Sequence, residues 1–510
     1  MVIILNFGSQ FAHLLARRVR DLGIKAEILP FNTRVEEIKK LNPAGIILSG
    51  GPRSVLEKRS PRPDAGIFNL EIPTLGVCYG HQIIAHMLGG KVVRGKHHEF
   101  GKEILKIKSA SGILAGLKSQ ETVWFSHGDT VEKLPKGFVR TASTPFCENA
   151  AFADSKRRLY GIQFHPEVTH TVHGTNMLRN FLFSICKAKK DWKMNSVTTE
   201  IISEIKNTVG KEHVVVGISG GVDSLVAATL IHRAIGNQLH AVFVDTGLLR
   251  KNEVTQVASE LKRNGFKKLH VINVSNLFLK RLKGIFDPEE KRKIIGHTFI
   301  EIFEKAIKNE LKKHNISYLA QGTIYPDRIE SASTSTTAAK IKSHHNLTLP
   351  KKLGFKILEP IKDLYKDEVR RVGLTLGLPH HLLFRHPFPG PGLGVRIVGE
   401  VTEERLSILR EADAIFIEEL KKSSEYEKIW QAFAALLPLK VVGVMGDART
   451  YEYMVVLRAV DSIDGMSADW HKIPNNLLEK ISSTIIGKVR GINRVLYDIT
   501  QKPPATIEYE

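Results

Sequence analysis

Cys78 lies between glycines in Gly76-Val77-Cys78-Tyr79-Gly80, where an apolar run stops and a helix-like run starts. A nucleophile on such an elbow is exposed, and the positive end of the following helix raises the thiolate fraction of a thiol. A cysteine at a strand end, taken by itself, reads equally well as a small core residue. His165-Pro166-Glu167, which follows strand-like residues 160–164, tips the reading toward chemistry. It adds a base and a carboxylate to orient that base, the set that acyl transfer needs. A second group of residues handles anions. Ser219-Gly220-Gly221-Val222-Asp223-Ser224 follows the apolar run 213–218 and precedes the helix-like run 225–231. A strand, a glycine turn and a helix start aim several backbone N–H groups and a helix dipole at one point, which suits phosphate. The loop has no side-chain amine, and G-x-x-x-x-G-K-[S/T] is absent from the chain. The plainer reading of the loop is a tight turn capped by Ser or Asp.

These groups need elements to carry them. From residue 1 to about 185, strand-like runs (2–6, 45–49, 74–78) alternate with amphipathic segments (10–22, 81–88). This alternation predicts a parallel sheet with helices on both faces. The short polar and basic segment 186–195 marks a boundary. A second α/β run follows, with strands near 214–218, 240–245, 269–274 and 318–321 and a long helix near 289–314. The segment His386-Pro387-Phe388-Pro389-Gly390-Pro391-Gly392-Leu393-Gly394 cannot be helix interior or central strand, so it marks the next boundary. It lacks the last glycine of G-x-G-x-x-G and no strand opens it, which argues against a dinucleotide loop. A last module begins with a helix at 402–422 and continues with strand-like runs near 440–444, 453–459, 494–498 and 505–509. The expected domains are 1–190, 191–386 and 387–510. The fold class is α/β, with two doubly wound parallel-sheet domains followed by a smaller α+β dimerisation domain. The polar run 330–337 reads as a mobile loop. The histidine doublets at 97–98, 344–345 and 380–381 place neighbours on different faces without a cysteine, a poor pattern for metal.

Composition narrows the class. The chain has 510 residues, 42% of them hydrophobic, enough for two to four cored domains. No apolar run approaches the roughly 18 residues of a membrane span, and the start, Met1 to Leu5, resembles a strand more than a signal peptide. Cys78, Cys147 and Cys186 are scattered without a CxxC, which argues against disulfides and structural zinc. A soluble cytoplasmic protein is expected. The net charge of +21 suits nucleic acid, polyanionic small substrates or a lysine-rich surface alike. The basic residues are spread along helices, aromatics are 7% without a stacking platform, and no basic recognition helix is apparent. No nucleic-acid or membrane partner is therefore expected.

Over roughly the first 190 residues, the cysteine and histidine motifs resemble class I glutamine amidotransferases. The resemblance implies that Cys78 attacks the side-chain amide of glutamine, His165 shuttles the proton and Glu167 holds the imidazole. Ser49-Gly50-Gly51-Pro52 matches that family's oxyanion loop, whose backbone N–H would act with that of Tyr79. Gln82 and Ser126-His127-Gly128-Asp129 fit positions that recognise glutamine. Asn6 stands where an Asp is usual and His81 where a Met is usual. Neither is nucleophile, base or orienting acid, so hydrolysis is expected to survive.

The loop at 219–224 resembles the pyrophosphate loop of enzymes that split ATP into AMP and pyrophosphate. The joint pattern is similar to the glutamine-hydrolysing GMP synthetases over nearly the whole chain. It is most specific in 491–510, and also in 443–450, 321–326 and 342–346. The resemblance implies that ATP adenylylates O2 of xanthosine monophosphate (XMP) and that ammonia from glutamine then yields GMP. ATP would be held by Ser219, Gly220, Gly221, Val222, Asp223, Ser224 and Val244, with Mg²⁺ near Asp223. XMP would meet Arg292, Lys342, Gln431, Arg449, Lys502, Ile507 and Glu508, and the C-terminal domain would form a homodimer. The rival reading is a tRNA-thiolating or NAD-forming ATP pyrophosphatase. It lacks the sulfur-carrying cysteines it would want in the second domain, and it leaves the glutaminase set unexplained.

Overall fold

A computed structural model describes residues 1–9, 11–310, 314, 316–327, 355–462 and 467–510. The chain forms two compact units, Met1–Ser196 and Val197–Glu510.

The first unit is built on a nine-stranded sheet. Its strands are β1 (Val2–Asn6), β2 (Ala26–Pro30), β3 (Gly45–Leu48), β4 (Thr74–Val77), β5 (Lys91–Ile107), β6 (Gln120–Lys133), β7 (Val139–Ser143), β8 (Ala151–Asp154) and β9 (Leu159–Ile162). They lie in the order β2-β1-β3-β4-β9-β8-β7-β5-β6. The first five run parallel. Strands β3, β4 and β9 are buried along their whole length, as expected of parallel strands covered on both faces. The remaining strands join antiparallel, from β9–β8 to the long β5–β6 hairpin. This antiparallel half adds to the parallel sheet expected from sequence. In β6 buried and half-exposed positions alternate with period two, the pattern of a strand with one face covered.

The second unit holds two sheets. The first has β10 (His213–Ile218), β11 (Leu239–Asp245), β12 (Leu269–Asn273), β13 (Ile316–Ala320) and β14 (Lys356–Leu358). All are parallel, in the order β12-β11-β10-β13-β14. The helix Val222–Ile235 follows β10, and Pro288–Glu310 packs across β11. The other sheet has β15 (Gln431–Met445), β16 (Ala448–Asp461), β17 (Asp469–Trp470) and β18 (Ile492–Tyr497). β15 and β16 form a long antiparallel hairpin, and β18 joins β16 in parallel. Helix Glu403–Lys422 covers this sheet; its start is capped by Thr402 Oγ1 accepting from the Arg405 amide at 3.2 Å.

One apolar cluster links the segment after β11 and the helices Ser275–Leu282 and Pro288–Glu310 to the second sheet of this unit and its covering helix. It joins Leu248, Phe278 and Ile295 to Leu409, Phe416 and Ile481. Residues 387–510 therefore share a core with the residues before them. The segment around Gly392 is a buried 3₁₀ turn at φ +64°, where a Cβ would lie 2.3 Å from the Leu248 carbonyl. That glycine permits close packing against backbone.

The expected strand at 505–509 does not form. The carbonyls a ladder would use are taken by a side chain instead. Buried Arg458 donates to the carbonyls of Thr500, Thr506 and Ile507 at 3.0, 2.9 and 3.0 Å. The expected loop 330–337, Lys342 and the doublet at 344–345 lie outside the described residues. Among the described residues no helix is long and apolar enough to cross a membrane. All three cysteines are free and buried.

Candidate active sites

Cys78 is the single residue between β4 and helix Tyr79–Met87, with φ +54° and ψ −105°. A non-glycine residue takes that conformation only when its surroundings force it. Here they do. A Cβ on Gly76 would lie 2.4 Å from the Gly80 carbonyl, and one on Gly80 would lie 2.3 Å from that of Leu48. The helix start is thus pressed onto β3 and β4, and the chain must turn within one residue. The Cys78 amide is anchored on the Ile162 carbonyl at 2.9 Å.

His165 follows the end of β9, and its Nδ1 meets Glu167 Oε1 at 2.7 Å, both groups buried. A Cβ placed on Gly50 would lie 3.3 Å from His165 Cε1 and 3.6 Å from Cys78 Cβ. The glycine loop, the thiol and the imidazole therefore enclose one point. Burial works against a charge on His165, but the Glu167 carboxylate and the Cys78 thiolate outweigh it and raise its pKa well above the ordinary value. Glu167 Oε2 is buried with no hydrogen-bond partner, so this carboxylate has the imidazole as its main counter-charge. As first residue of its helix, Tyr79 has no carbonyl within that helix for its amide, which leaves a donor at the elbow. Its phenol donates to the Pro61 carbonyl at 2.8 Å, and burial raises that phenol to about 12.

Three residues matched to glutamine recognition are engaged in the wall behind the thiol. Gln82 Nε2 donates to the Asp129 carbonyl at 2.9 Å and to Gln163 Oε1 at 3.1 Å. His127 lies between the same carbonyl, at 2.8 Å, and Glu99 Oε2, at 2.9 Å. The Asp129 carboxylate accepts from the Ser54 hydroxyl. The group that meets the thiol is the Ser126 carbonyl, 3.7 Å from Cys78 Sγ. Asn6 closes a turn by accepting from the Gly8 amide at 2.9 Å. His81 is fully buried, stacks on Phe152 and faces the Asn149 carbonyl at 2.9 Å; burial lowers its pKa to about 3, so it is neutral.

In the second unit, residues 219–224 join β10 to helix Val222–Ile235. Gly220 has φ +77°, and a Cβ there would press on Glu253 Oε1 at 3.3 Å and Arg385 Nη2 at 3.4 Å. The turn is closed by Ser219 Oγ, which accepts from the Gly221 amide at 3.2 Å, and by Ser224 Oγ, which donates to the Gly221 carbonyl at 3.0 Å. Asp223 Oδ2 accepts from Lys366 Nζ at 2.6 Å, whereas its Oδ1 is buried without a partner. Val244 is buried near the end of β11. A cleft of about 520 Å³ opens beside the next residue, Asp245, lined by Arg250, Glu253, Ser275 and Arg410 among others.

The closing residues assemble into a charged network. Glu508 takes a bidentate pair from fully buried Arg396, at 3.0 and 2.9 Å, and a bond from Gln431 Nε2 at 2.5 Å. Glu510 binds Lys291 Nζ through its carboxylate and Arg292 through its carbonyl. Ile507 is buried beneath Phe433 and Tyr509. Lys502 pairs through its backbone with Ala468 at 2.8 and 3.0 Å. Arg449 stands elsewhere. Gln431 pairs with Val460 at one end of the β15–β16 hairpin, and Arg449 pairs with Val444 near the other. Thirteen residues of strand put roughly 40 Å between them.

Residues 3–185 match the family model for class-I glutamine amidotransferases, 194–294 that of NAD synthase, and 418–509 that of the GMP synthase C-terminal domain. A curated protein of Aquifex aeolicus (strain VF5) named GMP synthase (glutamine-hydrolysing) is 53% identical over 510 residues, covering 100% of this chain and 99% of its own. The protein of the same name from Carboxydothermus hydrogenoformans is 54% identical with the same coverage. The chain belongs to the glutamine-hydrolysing GMP synthase family. In this GMP synthase family member, motif reading passes over Lys366, Arg385, Arg396 and Arg458. Each is an isolated cation in an unremarkable stretch of sequence, and each gains its role from a partner more than 40 residues away. A cue lies only in Arg396 and Arg458 being flanked by apolar residues on both sides.

Proposed function

We propose that this protein aminates XMP to GMP, using ATP and the ammonia released from glutamine. The observation that carries the reading is that one chain holds both a thiol–imidazole–carboxylate centre and a glycine anion loop at the start of a helix. The first site supplies the ammonia that the second consumes. In the first unit the Cys78 thiolate attacks the δ-carbon of glutamine, and amides near Gly51 and Tyr79 receive the oxyanion. His165 delivers its proton to the departing nitrogen as ammonia leaves. Water, deprotonated by His165, then cleaves the thioester to glutamate. In the second unit, O2 of XMP attacks the α-phosphorus of ATP and pyrophosphate leaves into the loop 219–224. Ammonia displaces AMP at C2. Asp223 fits a hard cation, since its Oδ1 is a buried oxygen without a partner. Mg²⁺ bound there would neutralise phosphate charge, and Lys366 would turn from Asp223 to a phosphate oxygen.

Glu508, Gln431, Ile507, Lys502 and Arg292 form the candidate XMP surface, and residues 387–510 are the proposed dimerisation module. Support comes from the β15–β16 hairpin, which exposes Leu439, Val442, Val444 and Tyr451 together with Leu496 of β18. A patch of that kind is the usual mark of an interface. A second copy also answers the distance to Arg449, which would act on the partner's nucleotide. The cytoplasm is the proposed compartment, since it keeps three free thiols reduced. The deciding experiment measures pyrophosphate release from ATP and Mg²⁺ with ammonium salt, with XMP present or omitted. Release that depends on XMP and yields GMP is expected; release without XMP would overturn the assignment.

A further inference from the structure

The amino-terminal edge of the parallel sheet β12-β11-β10-β13-β14 gathers histidines from distant parts of the sequence. His213 opens β10, His240 is the second residue of β11, and His314 precedes β13. Strands β11, β10 and β13 are neighbours, so their starts lie side by side. His213 Nδ1 is 3.0 Å from His240 Nε2. The His240 and His314 rings are 4.5 Å apart, and those of His213 and His314 5.5 Å. One nitrogen from each of the three lies within 4.8 Å of the others. The phosphate loop leaves β10 at the opposite, carboxyl end, so this cluster is no part of the reaction site.

An apolar side chain would serve the core better than His240. Its ring is fully buried and its Nδ1 has no hydrogen-bond partner, a costly state for a polar atom. The Lys268 ammonium lies near both the His213 and the His240 rings.

We infer that His213, His240 and His314 bind one divalent late first-row ion such as Zn²⁺, with solvent completing its shell. Imidazole ligands select zinc, nickel, copper or cobalt over magnesium and calcium. Nitrogens about 2.0–2.1 Å from zinc stand roughly 3.3 Å apart in a tetrahedron. The His213 and His240 nitrogens, 3.0 Å apart, need only open slightly to reach that spacing, and the third nitrogen, within 4.8 Å of both, moves inward by at most about 1.5 Å. Lys268 is the nearby cation that opposes the ion. Once bound, the ion ties the starts of three strands together.

The test uses the full chain, stripped with a chelator and titrated with Co²⁺ as the spectroscopic stand-in for zinc. One equivalent giving tetrahedral visible bands, displaced by Zn²⁺, is expected. His314→Ala, a loop change that spares the core, should weaken binding at least about tenfold, as should His213→Gln. Pyrophosphate release without added cobalt should be unchanged in His314→Ala. Three results would overturn the inference: no saturable spectrum, a spectrum indifferent to His314→Ala, or a thiolate charge-transfer band lost in Cys147→Ser. The last would place the ion at the buried Glu99, His127 and Cys147 instead.

Discussion

Cys78, His165 and Glu167 act as a unit because burial removes the alternatives to pairing. With water excluded, the imidazolium is stabilised by Glu167 on one side and the thiolate on the other. Cys78→Ala should abolish glutamine-dependent GMP formation, by at least about 10³-fold, and leave ammonia-dependent formation intact. Equal loss with both nitrogen sources would separate the thiol from glutamine hydrolysis. Glu167→Gln keeps the shape but removes the counter-charge. It should lower glutaminase kcat about 10²–10⁴-fold, in the range seen when an orienting carboxylate is neutralised. It should also change stability with pH. A group whose folded pKa is raised stabilises the fold fully below its unfolded value, about 6.5 for histidine, and loses that effect as pH rises through the folded value. The stability advantage of the wild type over Glu167→Gln in urea should therefore be largest below about pH 6.5 and shrink at alkaline pH. An advantage that stays constant would remove the imidazolium from this account. This trio is legible in the sequence because its members stand at local signatures: a glycine-flanked elbow and a His-x-Glu after a strand.

In the proposed mechanism, glycines at the two loops set how close a substrate can come, and they separate the two half-reactions. Gly50→Ala would place a methyl 3.3 Å from His165 Cε1 and 3.6 Å from Cys78 Cβ, in the space for the substrate amide. Glutamine-dependent turnover should collapse while ammonia-dependent turnover persists. Gly220→Ala meets a positive φ as well as Glu253 and Arg385, so the anion loop must distort at about 1–3 kcal/mol. Pyrophosphate release should then fall with either nitrogen source. Steady-state assays with glutamine and with ammonium salt check both outcomes, and an identical pattern for the two variants would deny the division of labour. The strands and helices that carry these loops are readable from their apolar runs, to within one or two residues at most ends. The antiparallel β5–β8 half of the first sheet is not, since β5 and β6 are rich in charged residues and β7 and β8 are too short to show a period. The tail strand fails for the opposite reason: an alternating pattern is present, but the Thr506 and Ile507 carbonyls that a ladder would use accept from Arg458 instead.

At the scale of the whole molecule, the C-terminus is part of the core of its unit. Glu508 neutralises Arg396, which is fully buried against the Phe433 and Phe388 rings. Glu508→Ala should destabilise Val197–Glu510 by about 3–5 kcal/mol, because it strands a buried cation. Urea denaturation measures this, and a change under about 1 kcal/mol would show Arg396 to be served by Asp413 alone, whose Oδ1 lies 4.0 Å from its Nη1. Val444→Glu on the exposed hairpin should convert a dimer to a monomer in sedimentation, whereas a dimer unmoved by it would place the interface elsewhere. The sequence by itself determined the motifs of the thiol centre and the anion loop, most of the parallel strands and the family. Each of these rests on short local signatures, such as the glycine-flanked elbow, His-x-Glu and the Ser-Gly-Gly loop, in which spacing is informative. Only the tertiary structure decided that Lys366 meets Asp223, that Arg396 and Arg458 clasp the tail, and that Arg449 stands apart from Gln431. It also decided that lone histidines at three strand starts share one point. A parallel sheet brings its strand starts to a common edge, so residues that no local pattern connects become neighbours.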